Sequence, residues 1–276
     1  MSIIVPNAYA LTLQAQGNAD RPIVGWHNLV TVETVAASFA AASFPATNLG
    51  NPATNLLWKS GSVADQYLTV LFGLAVEVDY IATARHNFGS GQVQVTVQGL
   101  PFGGNPATDS DWVELVAANL LANDWPALWR FAPDEYIGLR LKLEPGAVEP
   151  QAAVLYCGKL LVFEKGVQAG HAPLPYARRR TVISPLSQSG EHLGRVISGG
   201  SLQSSVSIIK LTPAWYRSTL DPFFEVAMER PFFWGWRPTT YPDEIGYAWL
   251  TSDPVPNPSD LAGYIDVQLQ MEGLLL

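Results

Sequence analysis

Charge is scarce in this sequence and cysteine nearly absent. Only 14% of residues are Asp, Glu, Lys or Arg while 48% are hydrophobic. There is ample material for a core, and the polar surface has to be built from Thr, Ser, Asn and Gln. A chain of that kind expects partners. A single cysteine, Cys157, excludes an internal disulfide. It lies in the apolar run Ala153-Val154-Leu155-Tyr156-Cys157, the surroundings of a packed small hydrophobe and not of an electropositive cleft. No apolar run approaches the roughly 18 residues that span a bilayer, and no basic segment followed by an apolar one opens the chain. The expectation is a protein made and assembled in a cytoplasm, with no membrane partner. Cations are the scarcer sign: residues 1–165 carry 8 Lys and Arg against 14 Asp and Glu, and residues 166–276 carry 8 against 10. Without a surplus of cations to displace the counterions of a phosphate backbone, sequence-specific nucleic acid is not an expected partner.

Reactive signatures are missing as well. The histidines His27, His86, His171 and His192 are far apart, and none belongs to a His-Glu-x-x-His or Cys-x-x-Cys pattern, so no metal site is expected. His86 ends the strand-like Ile81–Ala84 beside Arg85 and Asn87, where polar side chains satisfy loop backbone groups. No Gly-x-Ser-x-Gly elbow occurs. Gly89-Ser90-Gly91 and Gly103-Gly104 lie between β-type segments, without the strand-to-helix context of a phosphate loop, and read as turns. The acidic pairs Asp109 with Asp111, Asp134 with Glu135, and Asp243 with Glu244 stand near turn residues that use short carboxylates for backbone bonds. Asp109-Ser110-Asp111 is the best calcium candidate among them. The expectation is no catalytic residue, no cofactor and no enzyme.

Strict alternation is what the sequence does have. Val93, Val95 and Val97; Leu139, Leu141 and Leu143; and Ile265, Val267, Leu269 and Met271 each alternate with polar residues. With 23 Gly and 21 Pro between such runs, many short strands joined by turns are predicted, an all-β chain of sandwich type. Ala117–Asp124 reads as a short helix or a turn. Pro213–Met228 is predicted helical, with Thr212 as N-cap, Pro213 at the first position and a break near Asp221 caused by Pro222. Gly166, Gly170, Pro173 and Pro175 punctuate a patternless stretch that Arg178-Arg179-Arg180 closes. Three units follow: a domain over 1–165, a linker over 166–180, and a second β domain over 181–276.

Two resemblances give these units names. The series Asn48-Leu49-Gly50, Trp58-Lys59-Ser60, Tyr67–Gly73, Val78–Ile81 and Arg85–Phe88, followed by Asp111–Leu115, Trp129–Phe131 and Tyr136–Leu141, resembles a discoidin-type, galactose-binding-like β-sandwich over roughly residues 25–163. The later order of strands around one helix, with Pro231-Phe232-Phe233-Trp234-Gly235-Trp236, is similar to tail-tube and distal-tail domains. Together they resemble a tail or tail-tip protein of a long-tailed bacteriophage. That resemblance implies a structural subunit of the virion tail, a ring of copies contacting tube, hub or tape-measure proteins. The alternative it leaves open is a carbohydrate-binding module. In discoidin-like proteins ligands bind at the loops of one sandwich end, here Asn51–Asp65 and Phe88–Gln92, and a host-glycan binder should show exposed Trp or Tyr there.

Aromatics are unevenly placed. Trp58, Trp112 and Trp129 fall where the sandwich pattern puts core or loop-base rings. In Phe232–Trp236 a strand sends Phe232, Trp234 and Trp236 to one face and Phe233 to the other, so both faces need cover. A second sheet and a neighbouring subunit both satisfy that need. The assembly surface is expected at Phe232, Phe233, Trp234 and Trp236, with Arg178, Arg179 and Arg180 adding charge pairing.

Overall fold

A computed structural model describes residues 3–259 and 263–275. In chain order the elements begin β1 (Ile3–Ile4), α1 (Asn7–Ala15), β2 (Ile23–Gly25), β3 (Val35–Ala37), β4 (Trp58–Lys59) and β5 (Gln66–His86). They continue with β6 (Gln94–Leu100), β7 (Val113–Leu120), β8 (Ala127–Glu144), β9 (Gln151–Gly158), β10 (Leu161–Val162), β11 (Arg178–Ile183) and β12 (Val196–Leu211). A helical segment of α2 (Pro213–Trp215), a π turn (Tyr216–Leu220) and α3 (Asp221–Ala227) precedes β13 (Phe232–Gly235), β14 (Ile245–Leu250), β15 (Asn257–Pro258) and β16 (Ile265–Gly273). The chain is all-β, as its alternation requires.

Strands β5 and β8 form one long antiparallel ribbon that bends where its register shifts between Leu71 and Val76. Gly73 sits in that bend at φ +77°, a conformation that costs glycine little and other residues more. On one side of the bend β6, β7 and β3 extend the sheet; on the other β9, β4 and β1 do. Both halves wall a single core, in which Leu68, Val70, Val95, Val97, Leu139 and Leu141 meet Trp58, Ile81, Trp129 and Leu155. This bent sheet, closed on its own core, is the β-sandwich that the alternation predicted. Trp58 and Trp129 lie inside it as expected, whereas Trp112 stays outside that core, its ring 4.4 Å from the Arg140 guanidinium. The region expected as a helix or turn over Ala117–Asp124 begins as strand β7, and only residues beyond Leu120 turn.

The second sheet runs β10-β2-β13-β14-β16-β12-β11, every neighbour antiparallel. Strands β2 and β10 come from before residue 165, so the expected boundary does not coincide with a division between sheets. Nor is 166–180 a free linker. Leu174 is buried across Gly246 and Gly273, and a Cβ at Gly246 would come within 2.4 Å of its Cδ2. A side chain in the supposed linker fills a groove that two glycines leave open.

Central strand β13 explains the aromatic run. Phe232 and Trp234 point into a core shared with Phe223, Leu220 and Ala227 of the helical segment. Phe233 points the other way, onto the outer face of the sandwich, 5.5 Å from the Tyr156 ring and 5.0 Å from that of Tyr247. The helix covers one face and the sandwich of the same chain covers the other. Phe232, Phe233 and Trp234 are therefore internal and offer no surface to a neighbouring subunit, which corrects the expected assembly site. Trp236 is partly buried, its ring 5.2 Å from Tyr241 and its indole N–H donated to Glu244.

The helical segment is continuous through Pro222. Proline lacks an N–H and crowds the carbonyl four residues back, and the π turn over Tyr216–Leu220 lies where that clash would fall. Thr212 stands at the N-cap but does not cap, since its hydroxyl donates to Glu164 at 2.8 Å.

Because Phe233 fills the seam between the two sheets, Phe233→Ala should cost about 3–5 kcal/mol of unfolding free energy, the usual range for a buried ring replaced by a void. Equilibrium denaturation of the purified variant measures it; a loss below about 1 kcal/mol would mean that the two sheets pack without this ring.

Candidate functional site

The loops expected to bind ligand do not carry a platform. Trp58 and Phe88 are buried, and the exposed apolar side chains in Asn51–Asp65 are the aliphatics Leu56 and Val63. The front of that loop is used internally, since the Pro52 carbonyl accepts the Tyr247 hydroxyl at 2.8 Å. The aromatic that serves the site comes from a neighbouring turn, between β7 and β8.

In the turn over 121–126, the Asn123 side chain accepts the Trp125 N–H at 3.1 Å, and Asp124 accepts the Ser90 N–H at 2.9 Å. Gly89 lies so close to Asn123 that a Cβ there would come within 2.3 Å of its carbonyl carbon. His86 completes the clamp. The Phe88 N–H donates to Nδ1 at 3.1 Å, so that nitrogen holds no proton, and Nε2–H donates to the Trp125 carbonyl at 2.8 Å. This is the backbone-satisfying role the strand-end position implied. Burial drives the ring's pKa down to about 4, against the Trp125 carbonyl and Asp124, which favour the proton. The imidazole is neutral and Trp125 is fixed from behind.

Trp125 and Pro126 line a cleft of about 290 Å³ between the sandwich and the second sheet. Arg178 and Arg180 line the same cleft, placed together by the alternation of β11, while Arg179 points away and donates to Gln203 at 2.6 Å. Their strand partners are Leu202 and Gly200. A Cβ at Gly200 would lie 2.8 Å from Leu275 Cδ2, so the glycine lets Leu275 settle as part of the floor. Both guanidiniums are exposed, and no carboxylate among the described residues pairs with either. Among the described residues the lining side chains include no carboxylate, thiol, hydroxyl or imidazole. The cleft thus brings one aromatic residue and two cations together.

Of the residues singled out in the sequence, Arg178 and Arg180 meet here and Phe232, Phe233 and Trp234 do not. Trp125 was missed. Its signal is the run Asn123-Asp124-Trp125-Pro126, an Asx turn and a proline flanking an aromatic between two strands. The calcium candidate is spent on structure, since Asp109 pairs with Arg140 and Asp111 accepts the Asn105 N–H at 2.8 Å. Among the described residues no three His, Cys, Asp or Glu side chains gather to hold a metal ion.

No protein-family model and no curated protein matches the chain. Solved structures do. A chitosan-binding module of a chitosanase/glucanase from Paenibacillus sp. IK-5 is 18% identical over 48% of this chain and 98% of its own, with a TM-score of 0.41. A family 32 carbohydrate-binding module of Clostridium perfringens NanJ, in complex with galactose, is 17% identical over 48% and 97%, with a TM-score of 0.39. A GH29 fucosidase of Ruminococcus gnavus matches with 26% of its length, 48% of this chain, 14% identity and a TM-score of 0.39. Likeness of that order carries no argument about ligand or activity, and none of it speaks for a virion tail or a ring.

The clamp makes stability depend on pH. An unfolded His86 takes up a proton as the pH falls through 6.5, the folded ring only near 4. Its contribution is complete above pH 6.5, shrinks as the pH drops through that window and is gone below about 4. Asp79 runs the other way. Burial raises its pKa from 3.8 to about 6, more than the Leu160 N–H and Arg130 lower it, so it removes stability as the pH rises from 4 to 6. The two partly cancel in the native protein. Comparing denaturation of the native chain with that of His86→Gln should isolate a histidine contribution on the order of 3 kcal/mol between pH 6.5 and 4. Parallel pH profiles for the two proteins would mean that the ring is not held neutral.

Proposed function

We propose that this chain is a non-catalytic glycan-recognition protein whose ligand is a saccharide bearing a carboxylate, held in the Trp125 cleft. The observation that carries the reading is the meeting of Trp125 with two guanidiniums that have no ion-pair partner among the described residues, in one cleft of about 290 Å³. A pyranose presents an apolar C–H face, which stacks on an aromatic ring, and a polar edge, which needs fixed hydrogen-bond donors. Arg178 and Arg180 present a planar fork each, suited to a carboxylate in the bidentate manner that a neutral sugar cannot use. The two guanidiniums offset locally the repulsion that a chain of net charge −8 otherwise offers an anion.

Calorimetric titration of the full chain with oligosaccharides that contain uronic or sialic acid, and with neutral ones of equal length, tests this. The acidic sugars should bind with dissociation constants on the order of 0.1–1 mM, an affinity fitting a small open cleft. Trp125→Ala should abolish binding, and Arg178→Ala or Arg180→Ala should weaken it about tenfold or more and flatten its salt dependence. Equal binding of neutral sugars would remove the arginines from the site; acidic sugars that bind Trp125→Ala as well as the native chain would remove the cleft itself.

A further inference from the structure

The Trp125 cleft has a neighbour. A second cleft, of about 500 Å³, is lined by Asp20, Trp236, Arg237, residues 166–171 and Pro173. Two stretches of chain tie it to the first. Trp236 follows Gly235, the last residue of β13, and Gly235 pairs in register with Ile245 of the Trp125 cleft. Partners across an antiparallel ladder stand about 5 Å apart, and the next residue along the chain is about 3.8 Å further on. Pro173 lines the second cleft and Pro175 the first, with Leu174 between them seated against Gly246 and Gly273. Two residues of chain reach no more than about 7 Å. The clefts therefore adjoin at one end of the second sheet, with the segment 173–175 running between them.

The side chains of the second cleft are held in place as Trp125 is in the first. Beside Tyr241 and Glu244, Trp236 meets His171, whose ring centroid lies 4.5 Å from its own. His171 is fixed in turn by donating its Nδ1–H to the Gln168 carbonyl at 3.1 Å. Arg237 donates to Asp20 at 3.2 Å and stands 5.7 Å from the Trp236 ring. Asp20 also accepts the N–H groups of Thr239 and Thr240, at 3.2 and 2.8 Å, and the Thr240 hydroxyl. Anchoring a turn accounts for the ion pair. It does not account for the larger of the two clefts standing open beside that pair.

Charge separates the two clefts. Arg178 and Arg180 have no ion-pair partner among the described residues, whereas the charge of Arg237 is matched by Asp20. A guanidinium already compensated gains little from a carboxylate on the ligand, yet it still has N–H groups to donate to hydroxyls. The exposed Gln168 brings both a donor and an acceptor to the same lining. The first cleft suits an acidic sugar and the second a neutral one.

We infer that the two clefts form one extended site for a linear polysaccharide of mixed charge, with an acidic residue at Arg178 and Arg180 joined to a neutral residue at Trp236 and Arg237. This rests on the saccharide reading of the Trp125 cleft and adds the length and composition of the ligand. Once the acidic residue is bound, the neutral one reaches its cleft as an intramolecular event, so affinity rises with chain length without any change in the first cleft.

Calorimetric titration of the full chain is the experiment. The ligands are a uronic acid monosaccharide, oligosaccharides that alternate uronic acid with neutral sugar from disaccharide to hexasaccharide, and oligosaccharides of uronic acid alone. The alternating hexasaccharide should bind at least about tenfold more tightly than the monosaccharide, and more tightly than the all-acidic chain of equal length. Arg237→Ala should bind the monosaccharide as the native chain does and lose the gain with length. Ala169→Trp, at an exposed position of the second lining, should do the same by filling the cleft, with an unchanged thermal melt. Oligosaccharides no tighter than the monosaccharide overturn the inference, as does a gain with length that survives both substitutions or is equal for the all-acidic chains; each of these leaves the Trp125 cleft standing. A monosaccharide that fails to bind the native chain sinks the reading of that cleft, and this inference with it.

Discussion

Everything in this molecule depends on the covering of both faces of β13. A strand that carries Phe232 and Trp234 on one side and Phe233 on the other has no polar face to give to water, so it has to be central in depth as well as in sheet order. The helical segment closes one side. The other is closed by β9 and β5, which turn Tyr156, Tyr80 and Ala82 outward from the sandwich to meet Phe233 and Tyr247. That seam converts what could be two domains into three stacked layers with a shared middle. It also creates the cleft, which opens where a turn of the sandwich meets an edge strand of the second sheet.

Much of the architecture was legible because alternation is a local property. Val93–Val97, Leu139–Leu143 and Ile265–Met271 each declare a strand and its buried face without reference to anything distant, and all three declarations hold. Pro213 and Pro222 likewise mark the start and the irregularity of the helix by their own covalent chemistry. Two judgements that turned on one particular distant partner came out differently in the structure. The two-sided aromatic strand was compatible with a neighbouring subunit or with a second sheet, and no spacing distinguishes them. Leu174 looked like linker because its burial is set by glycines some seventy and a hundred residues further on, Gly246 and Gly273.

The site was less legible than the fold. Arg178 and Arg180 were visible as charges, but the side each occupies depends on β11 being a strand. Trp125 was hidden by position, since an aromatic beside Asn, Asp and Pro reads first as part of a turn. It becomes a platform only because His86, Asn123 and Asp124 spend their polar atoms on holding the turn still. Three side chains that look like candidate chemistry are thereby committed to geometry.

The pairing of Val24 with Trp234 has a consequence in time as well as in space. The two residues are roughly 210 positions apart in the sequence, and β2 sits between β10 and β13 with no other strand to take its place. During synthesis β10 can pair with β2 once the sandwich strands have emerged, while the other edge of Ile23, Val24 and Gly25 waits for a partner translated close to the end. Contacts this distant make for slow folding and leave an apolar strand exposed meanwhile. A chain interrupted after the sandwich would hold an unpaired edge, so a nascent protein of this topology depends on being finished more than its compact first half suggests.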